Sequence, residues 1–377
     1  SRTASGSAAP MPRSSSVLPP DNTGGSREAP KPKADAPKAD APRADAPKAT
    51  GRWLRYLLAS LCTALLIAAA SGAAIWRFQA PGPLPEANAV VIPPGSTSML
   101  ARELSRAGVI DAPRLFTLAA LATSGAGPLH AAELLFPAHA SFAEVLSVLR
   151  TAAPVEHRLV IPEGLTAKEI TALMLAAPGL VGPVDLPGEG YVLPATYDYL
   201  YGTERNRLVQ NAHRALERRL AKLWAQRAPD LPFTDPRQAL TLASIVERET
   251  AVPGERPRIA AVFINRLRLG MKLQSDPTVI YAASGGKGVL SRPLSAPDLA
   301  INSPYNTYVV AGLPPGPIDA PGIASIKAVL HPMTSPDLYF VADGHGGHSF
   351  ARTLTGQIHN IHVWEQHLRQ TVAPPER

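Results

Sequence analysis

The chain has 377 residues, of which 45% are hydrophobic and 18% are charged, so it can build at least one sizeable core and two or three folding units. Its formal net charge is +7, but no helix-turn-helix, RNA-recognition or zinc-finger pattern accompanies the basic residues, which argues against a nucleic-acid partner. The single cysteine, Cys62, excludes an intrachain disulfide and a thiolate zinc site.

The first segment, residues 1–51, is rich in Ser, Pro, Ala and Lys and repeats the pattern Ala-Asp-Ala-Pro-Lys/Arg. This composition offers little apolar surface to bury against the entropy cost of ordering the chain. We therefore expect a disordered arm, partly in polyproline II conformation. A nucleic-acid-binding tail is the alternative, but the Asp residues of the repeat offset much of its positive charge.

An uncharged run, LLASLCTALLIAAASGAAIW, follows at residues 57–76. Its length at helical rise matches the hydrocarbon core of a bilayer, and Trp53, Tyr56 and Trp76 at its edges suit the two interfaces. The run predicts a membrane-spanning helix over residues 52–78. A cleaved signal peptide is the alternative, and the long polar arm ahead of the run disfavours it.

Basic residues are distributed unevenly around this run. Among those before it, the nearest are Lys38, Arg43, Lys48, Arg52 and Arg55. Only Arg77 follows it closely, so the positive-inside rule places the N-terminus in the cytoplasm. The sequence therefore predicts a single membrane pass, with everything after the span outside the cytoplasmic membrane.

After a predicted stalk at residues 79–87, a short apolar strand, a Pro/Gly turn and a helix opened by Ser or Thr occur twice. The first copy is VVIPPGST at residues 90–97, and the second is LVIPEGLT at residues 159–166. We predict a small βα subdomain over residues 88–185. Between the copies, GPLHAAELLF at residues 127–136 has a more helical pattern than a strand would have.

Further along the chain, Asp235 as N-cap and Pro236 at the first helical position mark the start of another helix. This helix ends in LASIVERET, residues 242–250, which contains two acids two positions apart. Such positions point about 200° away from each other, so Glu247 and Glu249 cannot share a face.

The helical face of each acid separates them. Three, four and seven positions before Glu249 lie Val246, Ile245 and Leu242, whereas Ser244, Ala243 and Leu240 precede Glu247 in the same way. We therefore expect Glu249 to lie on the more buried face, where desolvation raises the pKa of a carboxyl toward that of a general acid. The alternative is an end-of-helix acid paired with Arg248 or Arg256. Glu247 is expected to be solvated or salt-bridged.

Polar loops with aromatic residues follow a further amphipathic helix. They are KLQSDPT at residues 272–278, SPYNTY at residues 303–308 and GLPPGPI at residues 312–318. Amides and hydroxyls can bond sugar hydroxyls, and flat rings can stack on sugar faces. Clustered around a half-buried acid, such loops indicate a carbohydrate cleft.

Several blocks in this order resemble a known family. The blocks are EGYVLPATY (residues 189–197), ASIVERET (243–250), VFINRLRLGMKLQSDPTVIY (262–281), SPYNTYVVAGLPPGPI (303–318) and LYFVADGHGGHSF (338–350). They resemble the endolytic murein (peptidoglycan) transglycosylases, the YceG-like group, over about residues 90–364. The resemblance implies an α+β protein with a single transmembrane helix, a LysM-like βα subdomain and a mixed α/β lytic transglycosylase domain at residues 186–370. The run at residues 127–136 departs from the family pattern, which has a strand signal there.

The resemblance also implies a catalytic residue, because lytic transglycosylases use one glutamate that is typically followed by Ser or Thr. Glu249-Thr250 has this arrangement and Glu247-Arg248 does not. The implied reaction has Glu249 protonate the oxygen between MurNAc and GlcNAc while the substrate's acetamido group assists at C1. Glu249 then takes the proton of the C6 hydroxyl, which gives a 1,6-anhydro-MurNAc end. This route needs no second carboxylate at glycosidase separation; Asp276 is the candidate if one is required.

The expected substrate-binding residues are Gln274, Asp276, Asn306, Tyr308 and His348. The first four are expected to orient sugar groups or Glu249, with ordinary hydrogen bonding inside the loops as the alternative. His348 is expected to line the cleft. Although His345, His348 and His331 could suggest a metal site, two histidines in a glycine turn are weak evidence, and the resemblance implies no metal and no cofactor.

The expected function is endolytic cleavage of nascent glycan strands that terminates glycan elongation. The expected partners are peptidoglycan glycan strands, the membrane and, as further candidates, peptidoglycan synthases of the elongation machinery. Two alternatives stay open at this point: a non-catalytic peptidoglycan-binding membrane scaffold, and a muramidase that uses water.

Overall fold

The computed structural model describes residues 52–372, which fall into two compact units divided after Ile67. The predicted disordered arm, residues 1–51, lies outside the described residues. The first helix, α1 (Arg52–Gln79), has 28 residues and no buried side chain, and its apolar window has a mean hydropathy of 2.0. At 1.5 Å rise per residue it is about 42 Å long, more than a bilayer's hydrocarbon core requires. A helix able to cross a membrane is therefore present where the sequence predicts one.

The first βα module has a core of its own. Strand β1 (Asn88–Val91) pairs antiparallel with β2 (Glu133–Phe136), and three helices, α2 (Thr97–Arg106), α3 (Pro113–Ala122) and α4 (Phe142–Thr151), pack around them. The predicted stalk packs on this module, since the side chain of Leu84 is buried and the N–H of Gly82 donates to the carbonyl of His139 at 3.0 Å.

Strand β2 corrects the helical pattern predicted for residues 127–136. Leu134 and Phe136 point into the core with no exposed surface, whereas Leu135 between them is 56% exposed. This alternation is that of a strand with one buried face. It arises because β1 supplies the hydrogen-bonding partner and the apolar surface, neither of which a local pattern of alanine, glutamate and leucine reveals.

The second copy of the repeated pattern builds the same local unit. Strand β3 (Glu156–Val160) precedes the turn, and α5 (Ala167–Ala176) begins after Thr166, whose side chain accepts the N–H of Glu169 in a capping box. The partner strand is β4 (Thr196–Leu200), antiparallel to β3. The core of this unit also contains Leu208, Val209 and Ala320, which come from much later in the chain.

The remaining elements are α6 (Arg205–Ala225), α7 (Pro236–Glu249), α8 (Arg256–Arg268), α9 (Asp276–Ala283), α10 (Ala296–Leu299), α11 (Ile323–Leu330), β5 (Tyr339–Ala342), β6 (His348–Ala351) and α12 (Leu354–Val372). Helix α7 is central, with every residue from Ala239 to Val246 buried. Its predicted start is confirmed, because the Asp235 side chain accepts the N–H of Arg237 at 2.8 Å and Pro236 is the first helical residue.

The described residues contain three antiparallel sheets of two strands each, set among helices. The mixed α and β composition with one apolar N-terminal helix is therefore confirmed. The LysM-like nature of the βα subdomain and the domain boundaries stay predictions.

Candidate active site

Glu249 is the last residue of α7, and the chain becomes extended at Thr250 directly after it. The Oγ of Ser275 donates a hydrogen bond to Oε1 of Glu249. Ser275 is itself buried and immediately precedes α9. The end of one buried helix and the start of another thus fix the direction of the Glu249 carboxyl.

The surroundings of Glu249 keep its proton available near neutral pH. Burial raises the pKa of Glu249 to about 7, against the lowering effect of the Ser275 hydrogen bond; the Asp276 charge raises this pKa further and Arg266 lowers it. The sequence-based expectation of a raised pKa agrees with this. A carboxyl with a pKa near the working pH can both donate a proton and take one back.

Arg266 holds the loop before α9 in place. Its Nη1 donates to the carbonyl of Leu273 at 2.7 Å, and its Nε donates to the carbonyl of Leu338 at 2.7 Å. The guanidinium also lies 5.2 Å from the centre of the Tyr339 ring. Arg266 therefore joins the Glu249 side of the site to β5. Its position on an amphipathic helix gave no reason to single it out, because its partners are backbone carbonyls of distant segments.

Gln274 and Asp276 flank Ser275 and are both exposed. Gln274 adopts a φ of 50°, which is uncommon for a residue with a side chain, and its N–H donates to the carbonyl of Thr307 at 3.1 Å. The backbone in this conformation lets Ser275 point inward while its two neighbours point outward. Gln274 also accepts a long hydrogen bond of 3.5 Å from Nη1 of Arg266.

Tyr308 lies beside Asp276, because its hydroxyl donates to Oδ1 of Asp276 at 2.6 Å. Burial raises the pKa of Tyr308 well above its usual value, and the Asp276 and Glu249 charges raise it further, so the hydroxyl keeps its proton. Asn306 is fully buried, and its Nδ2 donates to the carbonyls of Leu299 and Ile301 at 3.0 and 2.8 Å.

The Oδ1 of Asn306 accepts the N–H of Tyr308 at 3.0 Å. The Asn306 side chain is therefore engaged in the loop hydrogen bonding that was the alternative for it. Through that bond it sets the backbone position of Tyr308. Thr307, between the two, hydrogen-bonds the hydroxyl of Thr278 at 2.8 Å and so attaches the loop to α9.

His348 belongs to a neighbouring network centred on Glu255. Its Nδ1 lies 2.7 Å from Oε2 of Glu255, and its N–H donates to Oε1 at 2.8 Å. The hydroxyl of Thr250 donates to the same carboxylate at 3.1 Å. Burial alone raises the pKa of Glu255, but these hydrogen bonds outweigh it and lower the pKa below its usual value. His348 is thus connected to Glu249 through Thr250, and Glu255 is a residue that sequence reasoning missed.

Glu247 is salt-bridged, which is one of the two states that the sequence predicted for it: Oε1 lies 3.3 Å from Nη2 of Arg256, and Oε2 accepts the N–H of Gly322 at 2.9 Å. Its side chain is only 7% exposed, so it is not solvated. The expected difference in burial between Glu247 and Glu249 is not seen, since both residues are partly buried. Arg248 donates to the carbonyls of Gly164 and Gly288 at 3.2 and 2.7 Å, so neither arginine pairs with Glu249.

The structure thus places Asp276 and Tyr308 near Glu249, links Gln274 to the site through Arg266, and puts Asn306 behind Tyr308 and His348 in the adjoining network. Ser275 is the closest partner of Glu249, and it lay between two residues that the sequence did single out. Among residues 52–372, no three His, Cys, Asp or Glu side chains are grouped as a metal site would require.

Comparison with known proteins covers most of this region. The model of the YceG-like family matches residues 90–363. A protein of Bacillus subtilis (strain 168) named endolytic murein transglycosylase is 38% identical over 171 residues, which are 45% of this chain and 45% of that protein.

A protein of the same name from Streptococcus pneumoniae serotype 2 (strain D39) is 37% identical over 161 residues, 41% of this chain and 28% of that protein. The chain therefore matches less than half the length of either relative. A crystal structure of a yceG-like protein from Listeria monocytogenes aligns with a TM-score of 0.48 and 28% identity, covering 73% of this chain and 98% of that one.

Proposed function

Since this chain belongs to the YceG-like family, we propose that it is an endolytic peptidoglycan lytic transglycosylase, a carbon–oxygen lyase that cuts the MurNAc–GlcNAc bond of nascent glycan strands. The observation that carries the proposal is the state of Glu249, a half-buried carboxyl with a pKa raised by burial to about 7. The name of the matched relatives, endolytic murein transglycosylase, supports the same reaction.

In the first step, protonated Glu249 gives its proton to the glycosidic oxygen as the bond from that oxygen to C1 of MurNAc breaks. The carbonyl oxygen of the substrate's acetamido group forms a bond to C1 in its place. In the second step the C6 hydroxyl attacks C1, the bond to the acetamido oxygen breaks, and the Glu249 carboxylate takes the hydroxyl proton. The product is a 1,6-anhydro-MurNAc end, and no water is consumed.

The hydrogen bond from Ser275 suits both steps. A neutral hydroxyl stabilises the Glu249 carboxylate only in part, so the acid form stays accessible at neutral pH while the carboxylate keeps its direction. We assign Gln274, Asp276 and Tyr308 to sugar binding, because Asp276 and Tyr308 lie near Glu249 and Gln274 is exposed next to Ser275, the hydrogen-bond partner of Glu249. Asn306 acts by positioning Tyr308, and His348 lines the cleft on the Thr250 side.

The βα subdomain is proposed to be LysM-like and to hold the glycan. A groove of about 440 Å³ is lined by residues of both α5, in this subdomain, and α9, in the catalytic domain. A glycan strand could therefore run along the groove from the subdomain to the catalytic domain. Tyr281 in this groove packs at 4.9 Å against the ring of Tyr305, and its hydroxyl donates to Glu189 at 3.1 Å. Aromatic faces and carboxylates in one groove are suited to sugar rings and their hydroxyls.

We further propose that α1 anchors the chain in the inner membrane with its N-terminus in the cytoplasm and the remainder in the periplasm. Peptidoglycan synthases of the elongation machinery are the proposed partners, because a terminating enzyme must act where strands are made. A reporter enzyme that is active only in the periplasm, fused after Gln79, is expected to be active. Activity of a cytoplasmic reporter at the same position would overturn this topology.

The proposed reaction is tested by digesting purified sacculi with the wild type, Glu249→Gln and Glu247→Gln, and identifying the sugar ends by mass spectrometry. We expect anhydro ends with the wild type, close to none with Glu249→Gln, and far more with Glu247→Gln than with Glu249→Gln. Reducing MurNAc ends would instead identify a muramidase that uses water, for which Asp276 is the candidate second acid. Equal release of anhydro ends by the wild type and Glu249→Gln would remove Glu249 as the catalyst.

A further inference from the structure

Helix α3 presents an apolar face to the outside of the molecule. Leu115, Leu118 and Leu121 lie three positions apart and are 51%, 62% and 58% exposed. Phe116 and Ala120 on the other face are buried in the core of the first βα module. A helix that is apolar on its outer as well as its inner face is not expected to face water.

This outer face lies next to the last turns of α1. A cavity of about 420 Å³ separates the two helices and is lined almost entirely by carbon, with Ala74, Ile75 and Phe78 on one side and Leu115, Leu118 and Ala119 on the other. On α1, Ile75 and Trp76 are 60% and 71% exposed. The apolar surface of the predicted membrane helix therefore continues onto α3.

Side-chain contacts fix the end of α1 against the module that carries α3. Arg77 forms an ion pair with Asp111, just before α3, and its guanidinium lies 4.5 Å from the centre of the Phe142 ring in α4. The segment after α1 is also packed on the module through Gly82 and Leu84, so no free spacer separates the two. The height of α3 relative to the membrane is thereby set by α1.

That height is the level of the membrane interface. Tryptophan and arginine at the end of an apolar span mark the boundary between acyl chains and headgroups, and Trp76 and Arg77 occupy these positions. Because α3 borders the cavity at Ala74 to Phe78, it lies at the same depth. Arg114, exposed on α3, is placed to meet lipid phosphates.

We propose that α3 is an interfacial helix that inserts Leu115, Leu118 and Leu121 into the outer leaflet, with lipid acyl chains filling the cavity between α1 and α3. The proposal rests on α1 spanning the membrane. It makes the first βα module a membrane-bound base that keeps the rest of the chain close to the bilayer.

The test places a nitroxide label on the full chain in lipid nanodiscs that hold one copy each. In a Cys62→Ala background, Leu118→Cys is compared with Leu175→Cys, a leucine on α5 that is 56% exposed and so matched to it. Accessibility to oxygen, which partitions into lipid, is measured against accessibility to a water-soluble nickel chelate. We expect at least a threefold higher oxygen-to-nickel ratio at position 118 than at position 175, and the same excess for Leu115→Cys.

Equal ratios at positions 118 and 175 would overturn the proposal. So would dipolar broadening between labels at position 118 in discs that hold two copies, because it would show that a second copy covers this face. A label on the native Cys62 tests the membrane span of α1 separately from the insertion of α3. A water-like signal there would overturn the membrane span and this proposal together, whereas a lipid-like signal there with a water-like signal at 118 would overturn this proposal alone.

Discussion

The two sides of the last turn of α7 hold the same kind of side chain with different partners. On one side, Glu247 forms an ion pair with Arg256 and accepts the N–H of Gly322. On the other side, Glu249 receives its hydrogen bond from the neutral Ser275 hydroxyl and lies close to the charge of Asp276. The difference teaches that the partner matters together with burial: a guanidinium binds the Glu247 carboxyl directly, whereas around Glu249 burial outweighs the hydrogen bond of a neutral hydroxyl and raises the pKa.

The largest effect on turnover should come from removing the carboxyl of Glu249. Glu249→Gln keeps the shape of the side chain and an acceptor for Ser275 but removes the transferable proton. We expect a fall in turnover of about 10²- to 10⁴-fold, the usual contribution of a general acid and base. Release of anhydro-muropeptides from sacculi measures it. Glu247→Gln is the matched control, and a larger loss in that variant would reverse the assignment.

The second prediction concerns the pH dependence of turnover. Because burial raises the pKa of Glu249 to about 7 and the first step needs the protonated form, the rate should fall as pH rises above 7. The fall should approach about tenfold per pH unit once the carboxyl is ionised. Initial rates from pH 5 to pH 9 on one glycan preparation would measure this limb. A flat profile across neutral pH would contradict the role of Glu249 as the acid.

Replacing Glu249 and replacing Glu247 should change the free energy of unfolding in opposite directions. The folded pKa of Glu249 lies above its ordinary value of 4.5, so its stabilising contribution is present below that value and is lost as pH rises toward and through 7. At pH 8, Glu249→Gln should therefore be more stable than the wild type, by up to roughly 3 kcal/mol, and the gain should shrink toward pH 5.

Glu247→Gln should instead lower the free energy of unfolding by roughly 1–3 kcal/mol at pH 8, because Arg256 loses its charged partner in a buried setting. Denaturant unfolding of both variants at the two pH values provides the measurement. Equal effects of both substitutions at pH 8 would mean that the two carboxyls are in equivalent states.

A smaller effect is expected from Ser275→Ala. The Ser275 hydrogen bond lowers the pKa of Glu249, so its loss should move the falling limb of the pH profile to higher pH. Turnover at pH 7 should decrease less than in Glu249→Gln because the proton donor is retained. Ser275→Thr, which keeps a hydroxyl, is the control. A limb that moves to lower pH would contradict the direction of this interaction.

The smallest effect concerns the groove beside α9. If the Tyr281 ring stacks on a sugar, Tyr281→Ala should raise KM for glycan strands by roughly two- to tenfold while Tyr281→Phe, which keeps the ring, should raise it less. Turnover at saturating glycan should change little in either variant. Steady-state kinetics with strands of defined length gives both constants, and an equal rise in KM for the two variants would indicate that the hydroxyl matters rather than the ring.

Much of the local structure could be predicted from the sequence. The apolar run gave α1, Asp235 and Pro236 gave the start of α7, and the two repeated patterns gave a strand, a turn and a capped helix each. The raised pKa of Glu249 was also expected. These features depend on residues close in the chain, where spacing and composition act directly on backbone conformation and burial.

Other features were decided by the tertiary structure, because they depend on segments far apart in the chain. Strand β2 exists because β1 pairs with it, although its own residues have a helical pattern. Glu247 forms its ion pair because Arg256 packs beside it, with the N–H of Gly322 as a further donor, and His348 is linked to the site through Glu255 and Thr250.

The glutamate pair of α7 combines both kinds of information. Helical periodicity alone established that Glu247 and Glu249 face different ways, since this follows from the turn angle of any α-helix. Tertiary packing determined the partner of each carboxyl: the Arg256 guanidinium contacts Glu247, and the Ser275 hydroxyl contacts Glu249. The strength of an ion pair or hydrogen bond depends on distances and dielectric surroundings that only the folded chain defines.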